Sequence, residues 1–216
     1  SYLYLPWISS QFQEDYINKD KDNYILKYNY ENRLIVRMGY NYSYNSAGGA
    51  LVNNTITTNS YSIRAGFESA GNILYGISKM INMRKNKDGE YAILGIPYAQ
   101  YLKGDFDFAK NIIIDHRNSL AFHAGIGIAV PYGNAKVVPF EKRYFSGGAN
   151  SVRGWSVRNL GPGSFAGDGN FMNQSGDIKL DASIEYRTRL FWKFRGAAFI
   201  DAGNIWTIRE YENQPG

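Results

Sequence analysis

Two histidines, His116 and His123, are the only imidazoles in the chain, and cysteine is absent. The pair lies seven residues apart across an expected turn, with no carboxylate at metal-ligand spacing. One reads as a turn residue and the other as a residue on a polar face, rather than as a catalytic or metal-binding couple. Ser146 stands in Ser-Gly-Gly and Ser164 in Pro-Gly-Ser. Neither opens a helix or occupies a Gly-x-Ser-x-Gly elbow, so both read as turn residues. Asp105 and Asp107 share one face of an expected strand, where paired carboxylates can do acid and base work only if a pocket encloses the substrate. The expectation is therefore no enzyme activity, no cofactor and no metal.

The most distinctive chemistry is in a glycine-rich stretch, Arg143-Tyr144-Phe145-Ser146-Gly147-Gly148-Ala149-Asn150-Ser151-Val152-Arg153-Gly154-Trp155. Gly161-Pro162-Gly163 follows, then Gly176-Asp177 leading a segment that carries Glu185, then Phe199-Ile200-Asp201-Ala202-Gly203-Asn204-Ile205-Trp206.

The elements that must position these residues show a period of two, because successive strand side chains point to opposite faces. In Gly176 to Leu190, Ile178, Leu180, Ala182, Ile184 and Tyr186 oppose Lys179, Asp181, Ser183, Glu185, Arg187 and Arg189. From Lys193 to Trp206, Phe194, Ala198, Ile200 and Trp206 oppose Lys193, Arg195, Asp201 and Gly203. Between Asn118 and Val130, Leu120, Phe122, Ile126, Ile128 and Val130 oppose Ser119, His123, Gly125 and Gly127. Leu34, Val36, Met38, Tyr40, Tyr42 and Tyr44 form another apolar row, ending in tyrosines that suit a membrane interface.

Strands are expected over residues 23–31, 33–44, 57–69, 72–82, 97–113, 118–130, 176–190 and 193–206. The segment 72–82 is read as a strand, the least well-marked of the set, with a short helix as the alternative for its Ile-Leu-Tyr-Gly-Ile run. Tight links at Glu31 to Arg33, Ala70 to Gly71, Asp115 to Arg117 and Phe191 to Trp192 alternate with polar loops at 45–56, 83–96 and 131–175. Short turns on one side and long loops on the other are the pattern of an outer-membrane barrel. The last loop, about 45 residues long, exceeds ordinary connections. It carries Phe145, Trp155, Phe165 and Phe171, which points to a packed loop.

Composition agrees. Aromatic residues make up 16% of 216, with 18 tyrosines and 23 glycines, and mean hydropathy is −0.40 although 44% of residues are hydrophobic. A barrel spreads its apolar residues over alternate positions and keeps polar ones for the lumen, which produces such an average. No apolar run approaches the roughly 18 to 20 residues of a spanning helix. The net charge of +5 is dispersed. Only Arg84, Lys85 and Lys87 cluster, without interleaved aromatics, so a solvated loop is expected and no nucleic-acid partner. No leader marks Ser1, and residues upstream are expected to be missing from this sequence.

The three ordered motifs over roughly residues 139–206 resemble the signature of the BamA/TamA superfamily, the bacterial surface antigen family. There an aromatic-x-Gly-Gly run precedes Val-Arg-Gly-aromatic, matched here by Gly147, Gly148, Val152, Arg153, Gly154 and Trp155. A Phe-x-Asp-x-Gly-x-x-Trp strand is matched by Phe199, Asp201, Gly203 and Trp206. The resemblance implies an all-β, antiparallel transmembrane barrel of about sixteen strands, of which residues 1–216 supply only part. The family's last strands and its POTRA domains are not visible here. It further implies that the loop 131–175 folds into the lumen, with Arg153 meeting Glu185 and Asp201 on the wall.

The implied location is the bacterial outer membrane, and the implied role is insertion of unfolded outer-membrane protein clients into outer-membrane lipid. Periplasmic or lipoprotein accessory subunits would be the further partners. The motif wording is similar to TamA-like members from the Bacteroidota. A two-partner secretion pore, which shares the Arg-Gly-aromatic loop, is the alternative function.

Overall fold

A computed structural model describes residues 2–3, 33–46, 51–52, 55–56, 58–165 and 174–209. The expected strand 23–31, the link at Glu31 and Phe171 lie outside the described residues. Six strands form one antiparallel sheet: β1 (Arg37–Asn45), β2 (Ser60–Ala70), β3 (Tyr101–Ile113), β4 (Asn118–Pro131), β5 (Ile178–Arg189) and β6 (Arg195–Trp206). Their spatial order is their chain order, each strand pairing with the next. Such a meander places the polar residues of every strand on one continuous face. In register, Gly66 faces Asp105, Asp105 faces Gly127, Gly125 faces Asp181 and Asp181 faces Gly203. The opposite face carries Ile126, Ile128, Leu180, Ile184 and Ile200, all exposed. This is the arrangement of a lipid-facing wall.

One segment departs from the expected pattern. Residues 72–82 do not form a strand; Asn72–Met80 is a helix, α1. Gly71, at φ 75°, turns the chain out of β2, so the expected tight link at Ala70 to Gly71 is replaced by the start of this helix. Ile73, Ile77 and Met80 recur at helical spacing. Asn72 fixes the first turn by accepting from Gln100 Nε2 at 3.0 Å and from Tyr132 Oη at 2.6 Å. Buried Ser78 accepts from Tyr98 Oη at 3.1 Å. Tertiary contacts with residues twenty or more positions away select helix over strand.

Losing that crossing reverses the sense of everything before it. The connection 46–59 now lies at the same end of the sheet as the turns 114–117 and 190–194. The excursion 71–100 lies with the loop 132–177 at the other end. The loop 45–56 was expected beside the two long ones; it sits among the short turns instead. It contains the two-residue strands Leu51–Val52 and Thr55–Ile56. The expected strand 33–44 is also interrupted: Arg33–Leu34 pairs with Tyr2–Leu3, and β1 begins at Arg37.

Apolar packing concentrates at the long-loop end. Ile35, Ala70, Ala99, Tyr101, Ala129, Val138, Tyr144 and Ile205 form one buried cluster, drawn from the strand ends and from both excursions. Asn134 ties the excursions together, donating to the carbonyls of Tyr91 and Tyr98 at 3.0 and 2.9 Å. A buried Arg33–Glu90 ion pair of 3.1 Å holds the first excursion to the chain before β1.

Candidate functional site

The loop that follows β4 returns across the polar face of the sheet. Its stem is fixed by reciprocal backbone hydrogen bonds of 2.8 Å between Tyr144 and Gly176. Beside them Arg143 and Asp177 form an ion pair of 3.4 Å, with both side chains fully buried. Burial pushes the Asp177 carboxyl up, and the adjacent Arg143 pulls in the opposite direction. From this stem the loop touches several strands.

Lys142 Nζ lies 3.0 Å from Glu68 on β2, which also accepts from Tyr101 Oη and Arg37 Nη1, each at 2.5 Å. Tyr144 Oη donates to Asp105 Oδ1 on β3 at 2.7 Å. Burial first, and then this carboxylate, raise the Tyr144 hydroxyl above its ordinary value and keep it a donor. Lys103 Nζ caps the Tyr144 ring 4.1 Å from its centroid, a cation–π contact.

The glycines let the loop double back on itself. Gly147 has φ 97°, and a Cβ there would lie 2.2 Å from the carbonyl oxygen of Ser156. Gly148 N–H donates to the Trp155 carbonyl at 2.8 Å, and Arg158 N–H to that of Ser146 at 3.0 Å. Between these closures Val152 is buried, while Trp155 is about half exposed at 49%. Gly154 has φ 92° and open space around it.

Arg153, held at the tip, faces β5 and β6. Its backbone N–H and Nε donate to Asp201 Oδ2 at 3.0 and 2.7 Å, and Nη2 donates to Asp201 Oδ1 at 2.7 Å. Nη1 donates to Glu185 Oε2. The hydrogen bonds to Asp201, then to Glu185, raise the guanidinium further above its ordinary value. Its planar fork matches two carboxylates in a way that an ammonium cannot.

Phe199 completes the site. It pairs in register with Glu185, and its ring centroid is 3.6 Å from the Arg153 guanidinium carbon. The strand motif placed Phe199 on the wall, but its service as a platform under Arg153 was not anticipated. The signal was its parity, shared with Asp201. Gly203 pairs with Asp181 and Trp206 with Ile178; the Trp206 carbonyl accepts from Asp177 N–H at 2.7 Å. These two residues hold the β5–β6 junction rather than Arg153.

Other candidates fall into lesser roles. His123 Nε2 is 2.9 Å from Asp107, and its Nδ1 is 3.4 Å from Asp181. The sequence offered it no nearby carboxylate because both partners stand on neighbouring strands. Asp105 is engaged by Tyr144 and Asp107 by His123, so each acid on this face has its own partner. Ser146 Oγ is buried within hydrogen-bond distance of Ser151 Oγ, at 3.2 Å. His116 is in the 114–117 turn.

The solved chain of BamA from Haemophilus ducreyi lacking POTRA domains 1–3 aligns with this chain at a TM-score of 0.41 and 17% identity, over 83% of this chain and 43% of that one. Outer membrane protein assembly factor BamA of Neisseria meningitidis serogroup B is 32% identical over 97 residues, covering 41% of this chain and 12% of the relative. This chain thus spans a small part of that relative and less than half of the solved chain. The profile of the Omp85 superfamily domain matches residues 8–215, nearly the whole length. With its continuous antiparallel wall and polar inner face, this chain belongs to the Omp85 superfamily and is part of a β-barrel of the bacterial outer membrane.

Proposed function

We propose that the barrel to which this chain contributes folds and inserts other outer-membrane proteins, in the manner of a TamA-like assembly factor. The supporting observation is the loop braced across the inner wall. Its stem engages β2 and β3 through Lys142 and Tyr144, and its tip engages β5 and β6 through Arg153. In a machine whose wall must deform to admit a client strand, such a brace governs how readily deformation occurs. An incoming strand would then add by backbone hydrogen bonding, in β-augmentation.

The role needs no nucleotide, metal or catalytic nucleophile. Its partners on this reading are unfolded outer-membrane proteins, the surrounding lipid, and periplasmic or lipoprotein accessory subunits. The deciding experiment reconstitutes the full-length protein in liposomes and follows insertion of an unfolded client, comparing wild type with Arg153→Ala at matched levels of folded barrel. Faster insertion by wild type, weakened in the variant, supports the role. No acceleration by wild type removes it and leaves a secretion pore, for which export of one dedicated partner is the readout.

A further inference from the structure

On α1 the usual distribution of side chains is inverted. Asn72, Tyr75 and Ser78 share one stripe and face the protein. Asn72 bonds to Ser69, Gln100 and Tyr132, the Tyr75 ring lies 5.8 Å from that of Tyr91, and Ser78 accepts from Tyr98 Oη. Ile73, Ile77 and Met80 occupy the opposite stripe and, with Ile81 beside them, are between 44% and 78% exposed. Gly76 stands among them, exposed as well. A helix resting on a protein in water turns its apolar stripe inward. One that turns its polar stripe inward needs an apolar medium on the other side.

We propose that α1 lies in the headgroup layer of the outer leaflet, its apolar stripe against acyl chains and the cations at its end on lipid phosphates. Its place on the sheet gives the direction. Ser69, Leu102 and Val130 pair in register and form a row of the lipid-facing side at this end. The next row, of opposite parity, is Ala70, Tyr101 and Pro131, all fully buried. Tyr132 N–H donates to the Gln100 carbonyl at 3.1 Å, so the pairing runs one step farther, and Gln100 and Tyr132 return to the lipid-facing parity. All three side chains that hold Asn72 thus carry that parity, and the helix begins on the lipid side of the rim, where its stripe continues the apolar surface of the wall. The long-loop end is the outer surface in such barrels. Lys79, Arg84, Lys85 and Lys87 stand at and just after the helix end, all exposed. Against them are Asp88 and Glu90, and Glu90 is buried with Arg33. Lys79 and Lys85 rest on the Tyr75 and Tyr91 rings at 5.3 and 5.2 Å, contacts that leave their charge unneutralised. Interfacial helices combine such an apolar stripe with cations at headgroup level. The inference does not depend on insertase activity, because it concerns only where α1 rests.

The test uses the full-length protein, in a background without other cysteines, carrying Ile77→Cys or Met80→Cys labelled with the environment-sensitive dye NBD. Each is reconstituted in liposomes of phosphatidylcholine and phosphatidylglycerol. Ile126→Cys on the lipid-facing wall is the lipid reference, and Arg64→Cys, which pairs with Asp107 on the polar face, is the water reference. Both α1 labels are expected to emit at shorter wavelength than the water reference, to be quenched by brominated lipid and to resist iodide. Bromine near the headgroup should quench them more than bromine deep in the acyl chain, the reverse of Ile126→Cys. At Met80→Cys, brominated phosphatidylglycerol should quench roughly twofold or more above brominated phosphatidylcholine, a preference lost in Arg84→Gln/Lys87→Gln. Iodide quenching as strong as at Arg64→Cys overturns the proposal. So does a blue-shifted label indifferent to brominated lipid, the sign that polypeptide covers the stripe. Equal quenching by the two lipids at Met80→Cys overturns the contact between the cations and lipid phosphate.

Discussion

Tyr144 occupies the space that a side chain at Gly127 would need: a Cβ built there lies 2.5 Å from Tyr144 Cζ. The loop stem thus lies against β4 through an absent side chain, and the same ring reaches Asp105 and the Lys103 ammonium on β3. Gly127→Val is expected to expel the ring and lower stability by about 1–3 kcal/mol, the usual cost of overpacking. Tyr144→Ala in the same chain should recover part of that loss. Thermal unfolding followed by heat-modifiable gel mobility reads both, and a Gly127→Val variant as stable as wild type would contradict the fit.

The Arg153–Asp201 pairing should be strongly coupled. Asp201 is 2% exposed at its side chain and Arg153 26%, so one partner cannot rehydrate freely when the other is removed. Charge-assisted hydrogen bonds contribute roughly 1.5–3 kcal/mol. A double-mutant cycle of Arg153→Ala and Asp201→Ala on denaturant unfolding is expected to return a coupling of about that size. Arg153→Lys should resemble Arg153→Ala more than wild type, because an ammonium lacks the fork that spans two carboxylates. Additive single effects would show that the pair does not act as a unit.

Hydrogen bonds from Asn118 Nδ2, from Arg117 N–H and from Asn118 N–H hold the Asp115 carboxyl below the usual carboxylate range. Its folded value is lowered, so its contribution to the 114–117 turn is complete above the ordinary carboxylate pKa of about 3.9 and disappears as pH falls through the lowered value. Hydrogen exchange at the Arg117 and Asn118 amides, corrected for intrinsic rate, should lose protection on that acid side. Asp115→Asn, which keeps an acceptor but cannot titrate, should remove the dependence.

In α1, Gly76 has no atom within 4 Å of where a Cβ would stand. Gly76→Ala should therefore stabilise the helix by about 0.5–1 kcal/mol, through reduced freedom of the unfolded chain. A higher Tm with unchanged client insertion is the expected outcome; a lower one would mean that the helix packs differently.

Where the local pattern was strong, the fold could be read from the sequence. The polar and apolar rows of β4, β5 and β6 follow directly from alternation, because a half-polar wall imposes period two on every strand. Residues 72–82 were ambiguous because Ile73, Leu74, Tyr75 and Ile77 satisfy both periods. The choice was made by Tyr98, Gln100 and Tyr132, distant in sequence. That single misassignment also misplaced the loop 45–56, since every crossing reverses the direction of the next.

At the site, the ordered motifs pointed to Arg153, Glu185 and Asp201. The Phe199 platform under Arg153 and the buried Arg143–Asp177 pair depend on how strands and loop stack, which spacing does not encode. The carboxylates beside His123 were hidden for the same reason, each lying on a different strand.

The loop between Lys142 and Arg153 is a chord drawn across an arc. The arc is the wall from β2 to β6, and contacts to Glu68, Asp105, Glu185 and Asp201 pin the chord along it. Flattening the wall lengthens the distance between pins while the tether stays the same length, so curvature and loop attachment cannot change independently. Whatever bends this part of the barrel must release a pin, and whatever releases a pin allows the wall to bend.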